Sequence, residues 1–292
     1  AASDVYKRQT IDMKKYIYSS IALFLLGFMV QSCFQDMDHP GFDYPEELPE
    51  KPYNPMKLGL AFEDNLEDNS IYNFGITANG TPHFAEGING KAYQGATDTY
   101  MVVETPEAMK DSIENLGSFT VSFWMKATKC NKATGIFGIS NTKQFWGNLD
   151  IYLESNSEND TQAFFKVHLR NGNAERTEEC RIDDVFINDW VHLSFKYDET
   201  TSKLTVYKNA EEILSKALSE GEAQNIISGK LKFSDVGKLV IGTLQFQTVP
   251  SLTEGATAQD WGAHYLGALD QFHFYNKALK RSEIRNLYVT KD

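Results

Sequence analysis

The amino-acid sequence predicts an all-β chain, an antiparallel two-sheet β-sandwich carrying one or two short helices. Three observations point there. Short runs alternate apolar and polar residues with period two, the pattern of strands with one face in a core and one in water. Turn-forming residues separate those runs at intervals of roughly 8–15 residues. Helical periodicity is confined to two brief segments. With 41% hydrophobic and 13% aromatic residues, the 292-residue chain has ample material for a packed interior.

In chain order, residues 58–64 form the opening strand, with Asp68 just beyond it. Ala78-Asn79-Gly80 marks a turn. Pro106 to Asn115 forms a short helix, with Thr105 as its cap and Pro106 at the first helical position, where the missing N–H costs nothing. In the next run Phe119, Val121, Phe123 and Met125 alternate with Thr120, Ser122, Trp124 and Lys126. Leu149, Ile151 and Leu153 then alternate with Asn148, Asp150, Tyr152 and Glu154. A turn at Asn171-Gly172-Asn173 leads to Val191, Leu193, Phe195 and Tyr197, which alternate with Trp190, His192, Ser194 and Lys196. Asp198-Glu199-Thr200 turns the chain into a strand at 204–209. The last strand, around 267–275, is interrupted by Asp270, and an unpaired charge there is expensive. Asp270 therefore needs a cation or several backbone donors. Arg281 to Tyr288 closes the chain as a second helix, with Ile284, Leu287 and Tyr288 on one side.

The front of the chain has a different character. Met13 to Cys33 reads MKKYIYSSIALFLLGFMVQSC, with Lys14 and Lys15 ahead of ten apolar residues from Ile21 to Val30. That length suits the core of a secretory signal and falls short of the ~20 residues that span a bilayer. Val30-Gln31-Ser32-Cys33 resembles a bacterial lipobox, which implies lipidation at Cys33 and a life outside the cytoplasm. Residues 34–56 follow as a linker with five prolines between Pro40 and Pro55 and many acidic residues, an extended spacer rather than core. Asp36 and Asp38 resemble the acidic signal that sends lipoproteins to the outer face of the outer membrane, so the expected location is the cell surface. Upstream, Asp4-Val5-Tyr6-Lys7-Arg8-Gln9 resembles a translated sequencing adapter, and residues 1–12 are read as a non-native extension. The remaining residues, 57–292, suit one large sandwich, since all-β domains often reach ~200–250 residues.

The chain carries 28 basic and 40 acidic residues. Setting aside the four basic and two acidic residues up to Cys33 leaves 24 against 38, a net charge of −14. Such a surface repels nucleic acid and anionic membranes, so nucleic acid is no partner and the membrane is met only through the lipid. Beyond Cys33 there are Cys130 and Cys180, which either pair in an oxidising envelope or stand as unrelated thiols. No cysteine or histidine spacing suggests a transition-metal site.

Three segments resemble the laminin-G-like, concanavalin A-like lectin superfamily. They are Gly117 to Lys126, Asp189 to Asp198 with Leu204 to Asn209 behind it, and Gly267 to Leu279 running into the final helix. The opening strand and Gly87-Ile88-Asn89-Gly90-Lys91-Ala92 fit the same layout. The resemblance implies a jelly roll whose relatives mostly bind glycans or proteins, with some enzymes among them. It also implies a structural Ca²⁺ near the chain's two ends, with Asp270 meeting Asp64 or Glu63 and backbone carbonyls around Gly87 or Asn89, hard oxygen ligands of the kind calcium prefers. The alternative is that Asp270 only accepts backbone hydrogen bonds.

Flat aromatic rings pack on the C–H faces of sugars, which makes Trp124, Trp146, Tyr152 and Trp261 the candidate ligand residues. Trp146 and Trp261 lie in loop contexts, where binding sites concentrate. Trp124 reads first as packing against covering segments, and Trp190 resembles a structural residue of the family. Glycosidase relatives carry paired carboxylates along a strand, and a retaining pair stands about 5–5.5 Å apart. Asp150 and Glu154, the nearest approach here, are four residues apart on a strand, or ~13 Å at ~3.3 Å per residue. No catalytic residues are assigned. The expectation is a non-catalytic, surface-anchored glycan-binding lipoprotein working beside uptake or degradation machinery, with an adhesin that binds other envelope proteins as the alternative and a glycoside hydrolase or lyase as the third reading.

Overall fold

The computed structural model describes residues 53–291; the leader, Cys33 and the linker as far as residue 52 lie outside them. Two sheets of eight strands face each other. One orders β13 (Glu211–Ala217), β12 (Lys203–Lys208), β11 (Val191–Asp198), β6 (Phe119–Lys126), β16 (Ala268–Tyr275), β4 (Lys91–Gln94) and β3 (His83–Glu86), with β1 (Met56–Leu60) also paired to β16. The other orders β10 (Ala174–Asp183), β9 (Gln162–Asn171), β8 (Leu149–Leu153), β7 (Ala133–Asn141), β14 (Val236–Ile241), β5 (Tyr100–Glu104) and β2 (Gly75–Asn79). The short β15 (Gly262–Ala263) runs parallel to β7; the other pairings between the described strands are antiparallel.

The period-two runs place their apolar rows between the sheets. Phe119, Val121, Phe123 and Met125 of β6 are fully buried, as are Leu149 and Ile151 of β8. Phe123 stacks between Phe195 and Phe272 at centroid distances of 6.1 and 5.8 Å, and Phe137 from the opposite sheet meets Phe272 at 5.4 Å. Offset and tilted rings of this kind bind the two layers through dispersion as well as area burial. Gly172, at φ +59°, turns the long β9–β10 hairpin in the left-handed conformation that glycine adopts without steric cost.

Two sequence expectations need correction. The second faces of β6 and β8 are not wet: Thr120, Ser122 and Trp124 on one and Asp150 and Tyr152 on the other are buried. On β6 the C-terminal helix Arg281–Thr290 covers that face, with Tyr288 stacked 5.5 Å from Trp124. On β8 a loop covers it, described below. The early helix does not start on Pro106, whose ψ of 143° is extended. The chain enters as a 3₁₀ turn, Glu107–Met109, followed by one α-turn, Lys110–Glu114, and the Thr105 hydroxyl caps nothing. Of the two alternatives for Cys130 and Cys180, the fold takes the second: both are free thiols, and burial pushes Cys180 up to about 11.

Candidate functional site

The site begins with the loop between β7 and β8, residues 142–148. Asn141 starts it, its side-chain oxygen accepting from the N–H groups of Lys143 and Gln144 at 2.9 Å. Gln245, fully buried in the loop after β14, then ties the two segments together. Its amide oxygen accepts from the Asn141 N–H at 2.8 Å, and its amide nitrogen donates to the carbonyls of Gln144 and Phe145 at 2.7 and 2.9 Å. Loops cannot bury backbone polar groups without partners, and one glutamine supplies several of them here.

The loop returns to the sheet at Gly147, whose N–H donates to Asp150 Oδ2 at 2.7 Å. A Cβ at Gly147 would stand 2.7 Å from Asp150 Oδ1 and 2.8 Å from the Ile139 carbonyl oxygen, so only glycine permits so close a descent. That descent lays Trp146 on the outer face of the sheet. Its ring stacks on Tyr152 at 5.2 Å with an interplanar angle of 20°, and leans on His168 at 5.6 Å. Phe246 meets Trp146 edge-on at 5.5 Å and Phe145 face-on at 4.2 Å. Trp261, 42% exposed, closes the group 6.0 Å from Trp146.

Thus three of the four aromatic candidates, Trp146, Tyr152 and Trp261, converge from separate segments on one surface. The fourth does not join them. Trp124 lies on the other sheet beneath Tyr288, 4% exposed, which is the packing alternative. Tyr152, also 4% exposed, supports Trp146 from below, leaving Trp146 and Trp261 as the rings open to a ligand. Phe145, Phe246 and Gln245 belong to the site and were not foreseen. Beyond Trp261, its loop also lines a cleft of about 480 Å³ with Lys132, Gln247, Val249, His264 and Leu266.

Under Trp146 the chemistry is shielded. Burial raises Asp150 to about 7, although the Gly147 N–H and nearby Arg170 oppose the shift. His168, paired with Asp150 across β8–β9, bonds Thr177 Oγ1 through Nδ1 at 3.0 Å, while Nε2 has no partner among the described residues. Burial, reinforced by Arg170, pushes His168 down to about 3, so its ring is neutral. Glu154, the other carboxylate of that strand face, is bound to Lys166 at 2.9 Å. Asp150 is buried at 1% exposure beneath the Trp146 loop. A second apparent pair, Ser122 Oγ and His192 Nε2 at 2.9 Å, has the spacing of a nucleophile and base. It is sealed under Tyr288, and His192 Nδ1 has no acidic partner to orient it among the described residues.

Asp270 sits at a β-bulge, with Gln271 at φ +44° and the β16–β6 register shifting between Asp270 and His273. Its carboxylate accepts from the backbone N–H groups of Ile88 (2.8 Å), Asn89 (3.2 Å) and Gln271 (2.7 Å). Glu63 reaches the same turn and accepts from the Lys91 N–H at 3.1 Å, while Asp64 stays exposed on its own turn. Burial raises Asp270 to about 6 against those three donors, and the like charge of Glu63 adds to the rise.

The profile of Laminin_G_3, described as the concanavalin A-like lectin/glucanases superfamily, matches residues 94–285. Among solved structures, the chain is similar to the binding domain of botulinum neurotoxin DC in complex with rat synaptotagmin II (TM-score 0.56, 15% identity, 82% of this chain and 52% of that one). It is similar to the same domain in complex with SialylT (TM-score 0.55, 14% identity, 82% and 52%). A third likeness is to a structure of botulinum neurotoxin type C, whose cell entry is dependent upon interaction with two ganglioside molecules (TM-score 0.57, 16% identity, 82% and 51%). The chain spans about half the length of these structures, and at such identities the likeness is one of fold. No curated protein matches it.

Proposed function

The chain belongs to the concanavalin A-like lectin/glucanases superfamily, and from that premise we propose that it is a non-catalytic carbohydrate-binding protein whose ligand stacks on Trp146 and Trp261. The convergence of these rings on one pre-formed surface carries the reading. Gln245 and Gly147 fix the loop before any ligand arrives, so little ordering entropy is left to oppose binding. Lys166, opposite Tyr152 in the β8–β9 register, and its partners Glu154 and Glu179 lie near Tyr152 and would bond hydroxyls there. The gangliosides on which one structural neighbour depends for cell entry support glycan binding by this fold, and the synaptotagmin bound to another keeps a protein partner in view as the second outcome.

The proposal extends to the anchor. Cys33 would carry lipid, and the acidic linker would hold the domain off the outer membrane at the cell surface. Fatty-acid labelling that Cys33→Ala fails to abolish would refute that part. Calcium belongs to the proposal as well. Asp270 and Glu63 are two hard ligands facing one turn: Asp270 Oδ2 is taken up by the Ile88 and Asn89 N–H groups, but Asp270 Oδ1 and Glu63 Oε2 each accept a single N–H and keep a lone pair. A cation there would relieve their mutual repulsion; carbonyls around Gly87 and Asn89 would complete the shell.

The deciding test is a glycan array with the purified full chain. Trp261→Ala and Trp146→Ala should each weaken binding at least about tenfold, as truncating a central aromatic anchor commonly does. Trp124→Phe should bind as the parent does. Unchanged binding in both loop variants would move the site elsewhere.

A further inference from the structure

The charges around the two tryptophans bear on which glycans they accept. Lys166 stands opposite Tyr152 in the β8–β9 register, and its ammonium lies 2.9 Å from Glu154 and 3.8 Å from Glu179. Arg170, in the same outward row, is paired with Glu175. Lys143, on the loop that bears Trp146, is paired with Glu254, on the loop that leads to Trp261. Asp260 precedes Trp261, and the exposed Lys132 precedes Ala133, whose N–H bonds the Trp261 carbonyl at 2.8 Å, so residues of opposite charge adjoin this backbone contact. Arg181, farther along the face, lies over the Phe164 ring at 3.9 Å.

A carboxylate or sulfate on a sugar gains affinity by meeting a cation that is free to receive it. At Lys166, Arg170 and Lys143 it would first have to displace Glu154, Glu179, Glu175 or Glu254, and the displaced charge would then face the ligand; Lys132, exposed and in no ion pair among the described residues, is the exception. The net charge of −12 adds repulsion at longer range. A sugar without charge meets neither obstacle, because ion-paired side chains still offer spare lone pairs and N–H groups to hydroxyls.

Provided the Trp146–Trp261 surface is the glycan site proposed above, we infer that it selects neutral glycans, and that Glu154 and Glu179 exclude uronate-bearing and sulfated ones by holding Lys166.

An array carrying neutral, uronate-bearing, sulfated and sialylated oligosaccharides tests this with the full chain at about 20 mM and about 300 mM NaCl, since salt screens exposed charge pairs. The parent should bind neutral glycans with equal strength at both salts. The Glu154→Gln, Glu179→Gln double variant should gain about tenfold in binding to anionic glycans at low salt and lose that gain at high salt. Both replaced residues lie at the surface, and thermal melting checks that the variant is folded. Preferential binding of anionic glycans by the parent would overturn the inference while leaving the glycan site standing, and so would a double variant that gains nothing. A chain that binds no glycan at all would overturn both.

Discussion

Replacing Asp150 by asparagine should make the protein more stable in base and flatten its pH profile. The carboxyl is 1% exposed under the Trp146 loop, and burial raises it from 3.8 to about 7. A folded-state value above the unfolded one means that the folded protein holds its proton more tightly. The stabilising contribution is therefore complete below about 3.8 and is lost as pH rises through about 7. Integrated over the two states, the penalty grows from about 0.5 kcal/mol at pH 4 to about 4 kcal/mol at pH 8. Asparagine keeps an oxygen to accept the Gly147 N–H and carries no charge to desolvate. Urea denaturation of parent and variant across this range isolates the residue, because every other titrating group is common to both. The free-energy difference should favour the variant increasingly with pH and level off above pH 7. Parallel profiles would refute the shielding of Asp150, and with it the placement of Trp146 on the sheet.

Other outcomes follow from the same geometry. Gln245→Ala strips partners from the Asn141 N–H and the Gln144 and Phe145 carbonyls, so it should cost at least about 2 kcal/mol in chemical denaturation. It should also weaken glycan binding by loosening the loop; a variant as stable as the parent would show that the amide bridge is dispensable. Burial holds His168 and His192 near 3, so the stability these neutral rings permit is present above pH 6.5 and lost as pH falls toward 3. An imidazole titration near 6.5 for either, seen by NMR, would contradict the packing. Calcium at ~100 times its dissociation constant should add about 2.7 kcal/mol, read as a rise in Tm that chelation reverses and Asp270→Asn abolishes. No rise in Tm would remove the proposed site.

Much of this was legible because period-two alternation reports directly on which side chains face the other sheet. Phe119 to Met125 and Leu149 to Leu153 fall where the pattern places them. What the pattern cannot report is a cover supplied from elsewhere in the chain. Trp124 and Ser122 are enclosed by Tyr288, and Asp150 and Tyr152 by a loop held through Gln245, about a hundred residues downstream. A single glutamine in Leu244-Gln245-Phe246-Gln247 gives no local signal of that role. Trp146 and Trp261 could be picked out as loop aromatics, yet only the folded register shows that they meet. The Thr105 cap failed for a local reason: the residue before a proline is pushed toward extended backbone, and here Pro106 stays extended as well.

The first described residues are clasped to the sheet that does not bear the exposed tryptophans. Tyr53 bonds Asn276, Lys57 donates to the Tyr72 hydroxyl at 2.8 Å, and β1 pairs along β16. A pull applied at this end would load β1 in shear across its ladder, with Lys57 and its two tyrosines as the first clip to yield. The strain would reach β16 and the hydrophobic interior before it reached the loops carrying Trp146 and Trp261. If the proposed surface holds a polymer, drag on it and tension applied at Tyr53 would thus act on opposite layers of the sandwich, and the grip would survive a tug that frays the other side.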